Sequence, residues 1–153
     1  MEDAGFAGRL RIRRAAAGLS QRDLARASGV KQPLIAAIET STRRPSEAVR
    51  RALEDAIQVR PSQLLQLSRE RVLAAVHAIG GDGARVFGSV ARRQDRPDSD
   101  VDLLVSFPSG ADIITLLALE EELSDLLTVP VDIVSTGSSG PVLTRALAEA
   151  VPL

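Results

Sequence analysis

Two aspartates open a stretch of sequence that otherwise has the composition of a buried β-strand. In residues 100–107, Asp100 precedes a run of mostly apolar side chains and Asp102 interrupts it. Because side chains alternate across a strand, these two carboxylates share one face and lie roughly 7 Å apart along it. Burying two like charges without compensation is costly. The pattern therefore predicts a cation at the start of this strand, the alternative being a pair of capping residues at the end of a loop.

A third carboxylate occurs in the next predicted strand, which spans residues 129–134. Asp132 lies there between two apolar residues, Val131 and Ile133. Carboxylate oxygens are the ligands that Mg²⁺ and Mn²⁺ prefer, and three carboxylates can hold two metal ions about 3.5–4 Å apart for in-line attack on a phosphate. We therefore expect Asp100, Asp102 and Asp132 to bind two Mg²⁺ ions, with Mn²⁺ as an alternative.

A glycine and a serine, Gly88 and Ser89, follow directly after a predicted strand over 84–87 and open a predicted helical turn. Backbone N–H groups at such a position bind phosphate. Glycine lets a triphosphate approach closely, and the serine hydroxyl can donate a hydrogen bond to it. Arg92 or Arg93 can add positive charge nearby, although either arginine is equally compatible with simple solvation.

The spacing of these residues resembles the signature of the polymerase-β-like nucleotidyltransferase superfamily. Gly88 and Ser89 are followed, after ten residues, by Asp100-Val101-Asp102. The small size of this region is similar to that of the minimal nucleotidyltransferases, which include antitoxins that pair with HEPN-domain ribonuclease toxins. The resemblance implies an Mg²⁺-dependent enzyme that transfers a nucleoside monophosphate, with AMP from ATP as the expected case, and releases pyrophosphate.

The same resemblance implies a role for each candidate residue. Asp100 and Asp102 are expected to bind both metal ions, and Asp132 to bind one and to act as the base toward the acceptor hydroxyl. The implied nucleotide-binding residues are Gly88, Ser89, Arg92 and Ser99. The sequence departs from the family at Arg93, where many relatives have glycine, so the turn or its phosphate contacts are expected to differ.

Charge is distributed unevenly along the chain, although the formal net charge is only −1. Residues 1–66 carry 12 basic and 7 acidic side chains (12 − 7 = +5), and residues 67–153 carry 7 and 13 (7 − 13 = −6). This asymmetry predicts two domains, 1–66 and 67–153, of which the basic one is the candidate for nucleic-acid binding. Aromatic residues make up only 2% of the chain. This argues against a protein that binds single-stranded nucleic acid by stacking bases on aromatic side chains.

The basic half is predicted to form five short helices. The first spans 7–17 and ends at Gly18, and Ser20 then caps a second helix with Asp23 completing a capping box. A third helix begins near Pro33, Ser46 caps a fourth, and Pro61 starts a short fifth helix. Helices joined by such tight turns are typical of a helix-turn-helix bundle.

The run from Gly18 to Glu39, followed by Arg44-Pro45-Ser46, resembles the Cro/C1 (XRE) family of repressors. The resemblance implies that the third helix enters the major groove of an operator and that the start of the second contacts phosphates. The implied DNA-binding residues are Gln21, Lys31, Gln32, Leu34, Ala37, Arg43 and Arg44. Leu34 and Ala37 can contact only thymine methyl groups. A homodimer is an expectation from the two-fold symmetry of operators; the alternative is a helical bundle with a solvated arginine face.

In the acidic half, the remaining elements are predicted helices over 68–79 and 111–127 and a last helix after Gly140. The helix over 111–127 is expected to bury one apolar face. Its members are Ile113, Ile114, Leu117, Leu119, Leu123 and Leu127. The predicted fold class is α+β: an all-α helix-turn-helix bundle followed by a small polymerase-β-like α/β domain with a short mixed sheet.

Several classes of protein are excluded by composition. The chain has no cysteine and a single histidine, His77, which excludes disulfides and thiolate metal sites and disfavours a catalytic triad. No apolar run approaches the ~18 residues that a membrane span needs, and the acidic start Met1-Glu2-Asp3 is not a signal peptide. We therefore expect a cytoplasmic protein without a membrane partner.

Together these features predict an antitoxin-like nucleotidyltransferase that binds its own operator and transfers a nucleoside monophosphate to a partner protein of the HEPN toxin type. One alternative is a transcriptional regulator whose nucleotidyltransferase fold binds a nucleotide or a partner without catalysis. A further alternative is transfer to a small molecule such as an aminoglycoside, which the lack of a further substrate domain disfavours.

Overall fold

The computed structural model describes the backbone of residues 2–153 and the side chains from Gly5 onward. The chain divides into two compact units between Val59 and Arg60. Among the helices of this described part, none combines the length and the hydropathy that a membrane crossing requires.

The first unit is all-helical. Its helices are α1 (Glu2–Ala16), α2 (Gln21–Ser28), α3 (Gln32–Glu39) and α4 (Glu47–Ala56). The predicted capping box is present, since Ser20 Oγ accepts a hydrogen bond from the Asp23 amide at 3.0 Å and the Ser20 amide donates to Asp23 Oδ2 at 2.9 Å. Gly29 ends α2 with a φ of +74°, the left-handed conformation that glycine adopts freely. Both ends of α2 are therefore set by local signals.

The core of the first unit explains why these short helices hold together. Isolated helices of eight residues are marginal in water, so α2 and α3 depend on tertiary packing. The side chains that are almost completely buried there include Phe6, Leu10, Leu24, Ile35, Ile38 and Leu53. They come from all four helices, and each helix thus contributes to one shared apolar core.

The second unit combines helices with a four-stranded sheet. Its elements are α5 (Pro61–Ala78), β1 (Asp82–Phe87), α6 (Gly88–Ala91), β2 (Val101–Ser106), α7 (Ile113–Leu127), β3 (Val131–Ser135), α8 (Pro141–Glu149) and β4 (Val151–Pro152). The strand order is β3-β2-β1-β4. β2 pairs with β3 in parallel, whereas β1 is antiparallel to both β2 and β4. The predicted α+β class and mixed sheet are confirmed.

Two helices that were predicted as separate form a single helix in the structure. The short helix expected from Pro61 and the helix expected over 68–79 form the continuous α5, because no glycine or proline interrupts residues 62–78. Leu64, Val72 and Val76 are all buried, and α5 packs against α7 and the sheet. The compact units therefore divide before α5, seven residues ahead of the boundary that we expected after residue 66.

The apolar face expected on α7 is only partly buried. Leu119, Leu123 and Leu127 are buried, but Ile113, Ile114 and Leu117 in the first part of the helix are each more than half exposed. The prediction was wrong for those three residues, because periodicity shows which residues share a helix face and not how far the neighbouring sheet extends along it. The short strand β4 was not predicted; it pairs with Arg85 and Val86 of β1.

Candidate active site and candidate DNA interface

Parallel pairing brings the three aspartates together. Asp102 of β2 lies directly opposite Asp132 of β3, and Asp100 immediately precedes β2 by one residue. Asp100, Asp102 and Asp132 each offer a carboxylate oxygen, and these three atoms all lie within 4.8 Å of one another. A cluster of hard oxygen ligands at this separation fits the coordination chemistry of Mg²⁺ or Mn²⁺.

The electrostatics of the cluster centre on Asp102. This side chain is half-buried, and its burial raises the pKa of the carboxyl above its ordinary value. The negative charges of Asp100 and Asp132 raise the pKa of Asp102 further, whereas Arg145 and Arg92 act in the opposite direction. The ionised cluster is thus unfavourable by itself, which is the situation that a bound cation relieves.

Asp132 is held in place from both sides of β3. On one side, β3 pairs with β2; on the other, it is an edge of the sheet. Side chains of α7 cover that edge, because the Val131 amide donates to Ser124 Oγ at 3.0 Å and the Ile133 amide donates to Glu120 Oε1 at 2.8 Å. Both backbone donors that flank Asp132 on the free edge are therefore satisfied, which protects this edge of the sheet from pairing with another strand.

Gly88 is required by its conformation and by its neighbour. Its φ of +69° lies in the left-handed region, and a Cβ at this position would lie 2.1 Å from Asp102 Oδ2. No other residue type fits without a shift of the backbone or of Asp102. The glycine that the sequence suggested for phosphate approach thus also makes room for a carboxylate of the cluster.

Ser89 carries a buried hydroxyl, and its Oγ has no hydrogen-bond partner within the part of the chain that the structure describes. Buried polar atoms are almost always paired in folded proteins, so an orphaned one calls for a ligand or another explanation. A hydroxyl next to Gly88 fits a phosphate oxygen of a nucleotide.

Glu149, at the end of α8, contacts the same turn. Its Oε2 accepts hydrogen bonds from the Gly88 amide at 3.2 Å and from Arg92 Nη1 at 2.8 Å. Its Oε1 lies 3.7 Å from Arg145 Nε. Sequence reasoning missed both Glu149 and Arg145, since no short-range spacing links the last helix to a turn that lies 57–61 residues earlier.

The other candidates of this region have local partners. Arg92 Nε also donates to Gln94 Oε1 at 3.3 Å. Ser99 Oγ accepts a hydrogen bond from the Arg96 amide at 2.9 Å and so closes the turn before Asp100. Arg93 has a φ of +58°, a left-handed conformation that costs a residue with a Cβ about 1–2 kcal/mol. The backbone therefore keeps the turn that a glycine would adopt without strain.

In the first unit, a hydrogen-bonded network joins two of the predicted DNA contacts. Gln32 Nε2 donates to Gln21 Oε1 at 2.9 Å, and Gln21 Nε2 donates to Glu39 Oε2 at 2.8 Å. Arg14 donates to the same carboxylate through Nε at 2.6 Å and Nη2 at 2.9 Å. The first residues of α2 and α3 are thereby fixed relative to each other.

Glu39 anchors this network although its side chain is almost completely buried. Burial raises the pKa of Glu39, but the hydrogen bonds from Arg14 and Gln21 and the positive charges of Arg14 and Arg11 together lower it by more, so that the pKa lies below the ordinary value. The hydrogen bond to Glu39 raises the pKa of Arg14. Arg14 and Glu39 were not among the predicted site residues.

The remaining predicted DNA contacts lie on α3 and its flanking turns. Lys31 precedes α3 and is exposed, whereas Leu34 and Ala37 are partly buried on the helix. Arg43 and Arg44 are exposed in the turn that follows, where the Arg43 amide donates to the Ala37 carbonyl at 3.1 Å. All seven residues thus occur at the start of α2, along α3 or in the turns that flank α3.

Comparison with known families assigns a class to each unit. Residues 82–151 match the family described as polymerase beta, nucleotidyltransferase, and residues 6–67 match a helix-turn-helix domain family. A solved structure of a minimal nucleotidyltransferase, provisionally so named, is 43% identical, with a TM-score of 0.53 over 60% of this chain and 95% of that one. The second unit is therefore a nucleotidyltransferase domain, and a helix-turn-helix domain precedes it.

Two named relatives indicate which kind of nucleotidyltransferase this chain is similar to. A provisionally named protein adenylyltransferase of Methanocaldococcus jannaschii is 34% identical over 84 residues, which cover 54% of this chain and 90% of that protein. The protein adenylyltransferase MntA of Thermococcus cleftensis is 43% identical over 53 residues, or 35% of this chain and 54% of its own. This chain belongs to the family of minimal nucleotidyltransferases of the protein adenylyltransferase type.

The fold also recurs in a crystal structure of a toxin–antitoxin complex with AMP-PNP. That chain is 21% identical, with a TM-score of 0.50 over 54% of this chain and 69% of that one. At this level of identity the similarity concerns the fold alone.

Proposed function

We propose that this protein transfers AMP from ATP to a partner protein and represses its own operon through the helix-turn-helix unit. The observation that carries the enzymatic part is the cluster of Asp100, Asp102 and Asp132 beside the Gly88–Ser89 turn. The names of the adenylyltransferase relatives support AMP as the transferred group and a protein as the acceptor.

In this proposal Asp100 and Asp102 hold two Mg²⁺ ions and Asp132 holds one of them. When bound, Mg²⁺ supplies positive charge that stabilises the phosphate oxygens and the leaving group. Gly88, Ser89 and Arg92 bind the phosphates of ATP, and Ser99 supports the loop that leads to Asp100.

The chain's own residues then orient the reacting groups. The acceptor hydroxyl oxygen attacks the α-phosphorus, the bond from that phosphorus to the oxygen bridging to the β-phosphate breaks, and pyrophosphate leaves. Asp132 is exposed, so an acceptor can reach it, and it takes the proton of the hydroxyl. Atoms balance, since AMP replaces that proton on the acceptor.

A HEPN-type toxin is the proposed acceptor, and the fold shared with a toxin–antitoxin complex is consistent with it. A homodimer would match a two-fold symmetric operator. Because both ATP and operator DNA occur in the cytoplasm, the proposed activity belongs there.

The enzymatic proposal is tested by incubating the full chain with Mg²⁺, ATP labelled on the α-phosphate and the product of the neighbouring gene. We expect label on the partner and one pyrophosphate per label. Asp102→Asn should abolish both signals, and the exposed Asp125→Asn should leave them unchanged. Nucleotide binding without label or pyrophosphate would instead support a regulator that senses nucleotide without catalysis. That alternative has one observation in its favour, namely that Gly88 and Arg92 are engaged by Glu149.

The DNA-binding proposal rests on the Gln32–Gln21–Glu39 network, which fixes one polar side chain at the start of α3. A glutamine amide so placed can make two hydrogen bonds to adenine in the major groove. Gln32→Ala should weaken operator binding by about 1–3 kcal/mol and relax specificity at one base pair. Arg43→Ala should weaken all sequences alike and lower the salt slope by about 1. Equal loss on specific and random DNA for both variants would contradict base readout by Gln32.

A further inference from the structure

The Gly88 turn already binds an anion, and that anion belongs to the protein. Glu149 Oε2 accepts hydrogen bonds from the Gly88 amide at 3.2 Å and from Arg92 Nη1 at 2.8 Å. These two donors are also the ones proposed to receive a phosphate of ATP. A single amide hydrogen cannot serve both a carboxylate and a phosphate with good geometry, so Glu149 and the nucleotide exclude each other at this position.

The backbone around Glu149 is fixed, but its side chain can leave. Ala146, one turn earlier on α8, is completely buried against Phe87 and Leu104. On the other side of Glu149, Val151 lies two residues later in the chain and pairs with Val86 of β1. The Glu149 side chain itself is 26% exposed, so solvent already reaches it, and side chains at the surface change rotamer within picoseconds to nanoseconds.

While Glu149 contacts the Gly88 turn, its carboxylate pairs with the two arginines that also attract Asp102. Arg92 and Arg145 both attract Asp102, and both also pair with Glu149. Glu149 therefore gives the two arginines an anionic partner other than the carboxylate cluster. A phosphate in place of Glu149 would present the same arginines with an anion of greater charge, to which they can form charge-assisted hydrogen bonds.

We propose that Glu149 is a placeholder anion: it occupies a phosphate position of the nucleotide site in the free protein, where it pairs with Gly88, Arg92 and Arg145, and it is displaced when ATP binds. The proposal rests on the proposed function, because it assumes that ATP binds at the Gly88–Ser89 turn. It adds Arg145 and Glu149 to that site, as a further phosphate-binding residue and as an internal competitor.

A purely structural role for the ion pairs predicts the opposite result on binding. If Glu149 only held α8 against the turn, its removal would disorder Arg92 and weaken ATP binding. A placeholder whose removal frees the donors should strengthen ATP binding while slightly lowering the stability of the free protein. The direction of the change in affinity thus separates the two roles.

The test measures the Kd of Mg²⁺·ATP by calorimetry for the full chain, for Glu149→Gln and for Glu149→Ala, together with the melting temperature without nucleotide. We expect the Kd to fall about three- to tenfold in both variants, which corresponds to the net worth of a partly exposed charged hydrogen bond. Glu121→Gln, an exposed change of the same charge on α7, should leave the Kd unchanged. Pyrophosphate serves as a second probe and should show the same order of affinities.

Each other outcome has a distinct meaning. If the wild-type chain binds ATP and the folded Glu149 variants bind it equally or more weakly, the placeholder is wrong and the proposed function stands. If neither wild type nor variants bind ATP, both are wrong. If Glu149→Gln fails to fold, Glu149→Asp replaces it, because the shorter side chain keeps the negative charge but holds it farther from the Gly88 amide. A Kd of Mg²⁺·ATP for Glu149→Asp as high as that of wild type would then overturn the proposal.

Discussion

Asp102 and Asp132 lie directly opposite each other in the parallel pairing of β2 and β3, with carboxylate oxygens that approach within 4.8 Å. Like charges placed opposite each other on adjacent strands are destabilising. Burial of Asp102 adds to this cost. The pair, with Asp100 beside it, is therefore unfavourable by itself, and a cation at that position would offset the cost.

Removal of Asp132 should weaken metal binding. We expect Asp132→Asn to lower the affinity for Mn²⁺ by more than about tenfold, since even the outer partners of metal ligands are worth about 10–100-fold. Titration of Mn²⁺ followed by electron paramagnetic resonance measures the free ion directly. Asp125→Asn, an exposed acid on α7, is the matched control. An unchanged Mn²⁺ affinity in Asp132→Asn would remove this residue from the metal site.

Substitution of Gly88 should be far more damaging than substitution of Gly83. Both glycines have a positive φ, +69° and +62°, but a Cβ at Gly88 meets Asp102 Oδ2 at 2.1 Å whereas nothing lies within 4 Å of one at Gly83. Gly83→Ala should cost only the backbone strain of about 1–2 kcal/mol. Gly88→Ala adds the clash and should also abolish nucleotide transfer. Chemical denaturation followed by circular dichroism gives both stabilities, and equal losses would refute the close approach.

The stability of the metal-free protein should reflect the raised pKa of Asp102. Because this pKa lies above the ordinary value of 3.8 in the folded state, the stability contributed by the protonated acid is present below about pH 4 and is lost as the pH rises through the folded pKa. At pH 7 Asp102→Asn should therefore raise the melting temperature of the metal-free protein by about 1–3 °C.

Two controls accompany that measurement. The gain in melting temperature should vanish at pH 3.5, where Asp102 is protonated, and Mg²⁺ should stabilise the wild type more than the variant. A variant that melts lower than wild type at pH 7 without metal would contradict the assignment of Asp102 as an unfavourable charge.

Removal of the buried Glu39 should lower the free energy of unfolding of the first unit by more than removal of Glu47, an exposed glutamate that also pairs with an arginine. Glu39→Ala removes the partner of Arg14 and Gln21 and should cost about 3 kcal/mol, since breaking a buried ion pair leaves a charge uncompensated. Glu47→Ala breaks only the exposed pair with Arg51 and should cost at most about 0.5 kcal/mol. Hydrogen exchange of the α2 and α3 amides reports the first unit specifically; equal exchange rates in the two variants would contradict the anchoring role of Glu39.

Much of the geometry of the candidate active site was predictable because it depends on short spacings. Asp100 and Asp102 share a strand face by the alternation of side chains, and Gly88 follows directly on β1. The capping box of Ser20 and Asp23 and the glycine that ends α2 are likewise local, since each involves atoms within four residues. The α5 helix was divided in our prediction because Pro61 and Ser68 both look like helix starts, while the packing of α5 on α7 and the sheet was invisible.

The order of the two units, the α+β class with its mixed sheet and the residues of the carboxylate cluster could all be read from the sequence, because periodicity, caps and close spacings act through neighbouring atoms. It took the tertiary structure to show that Glu149 reaches the Gly88 turn and that the first part of α7 stays exposed. Those facts depend on which surfaces meet when α8 and α7 pack on the sheet. Side chains 57–61 residues apart have no local interaction that could reveal their contact.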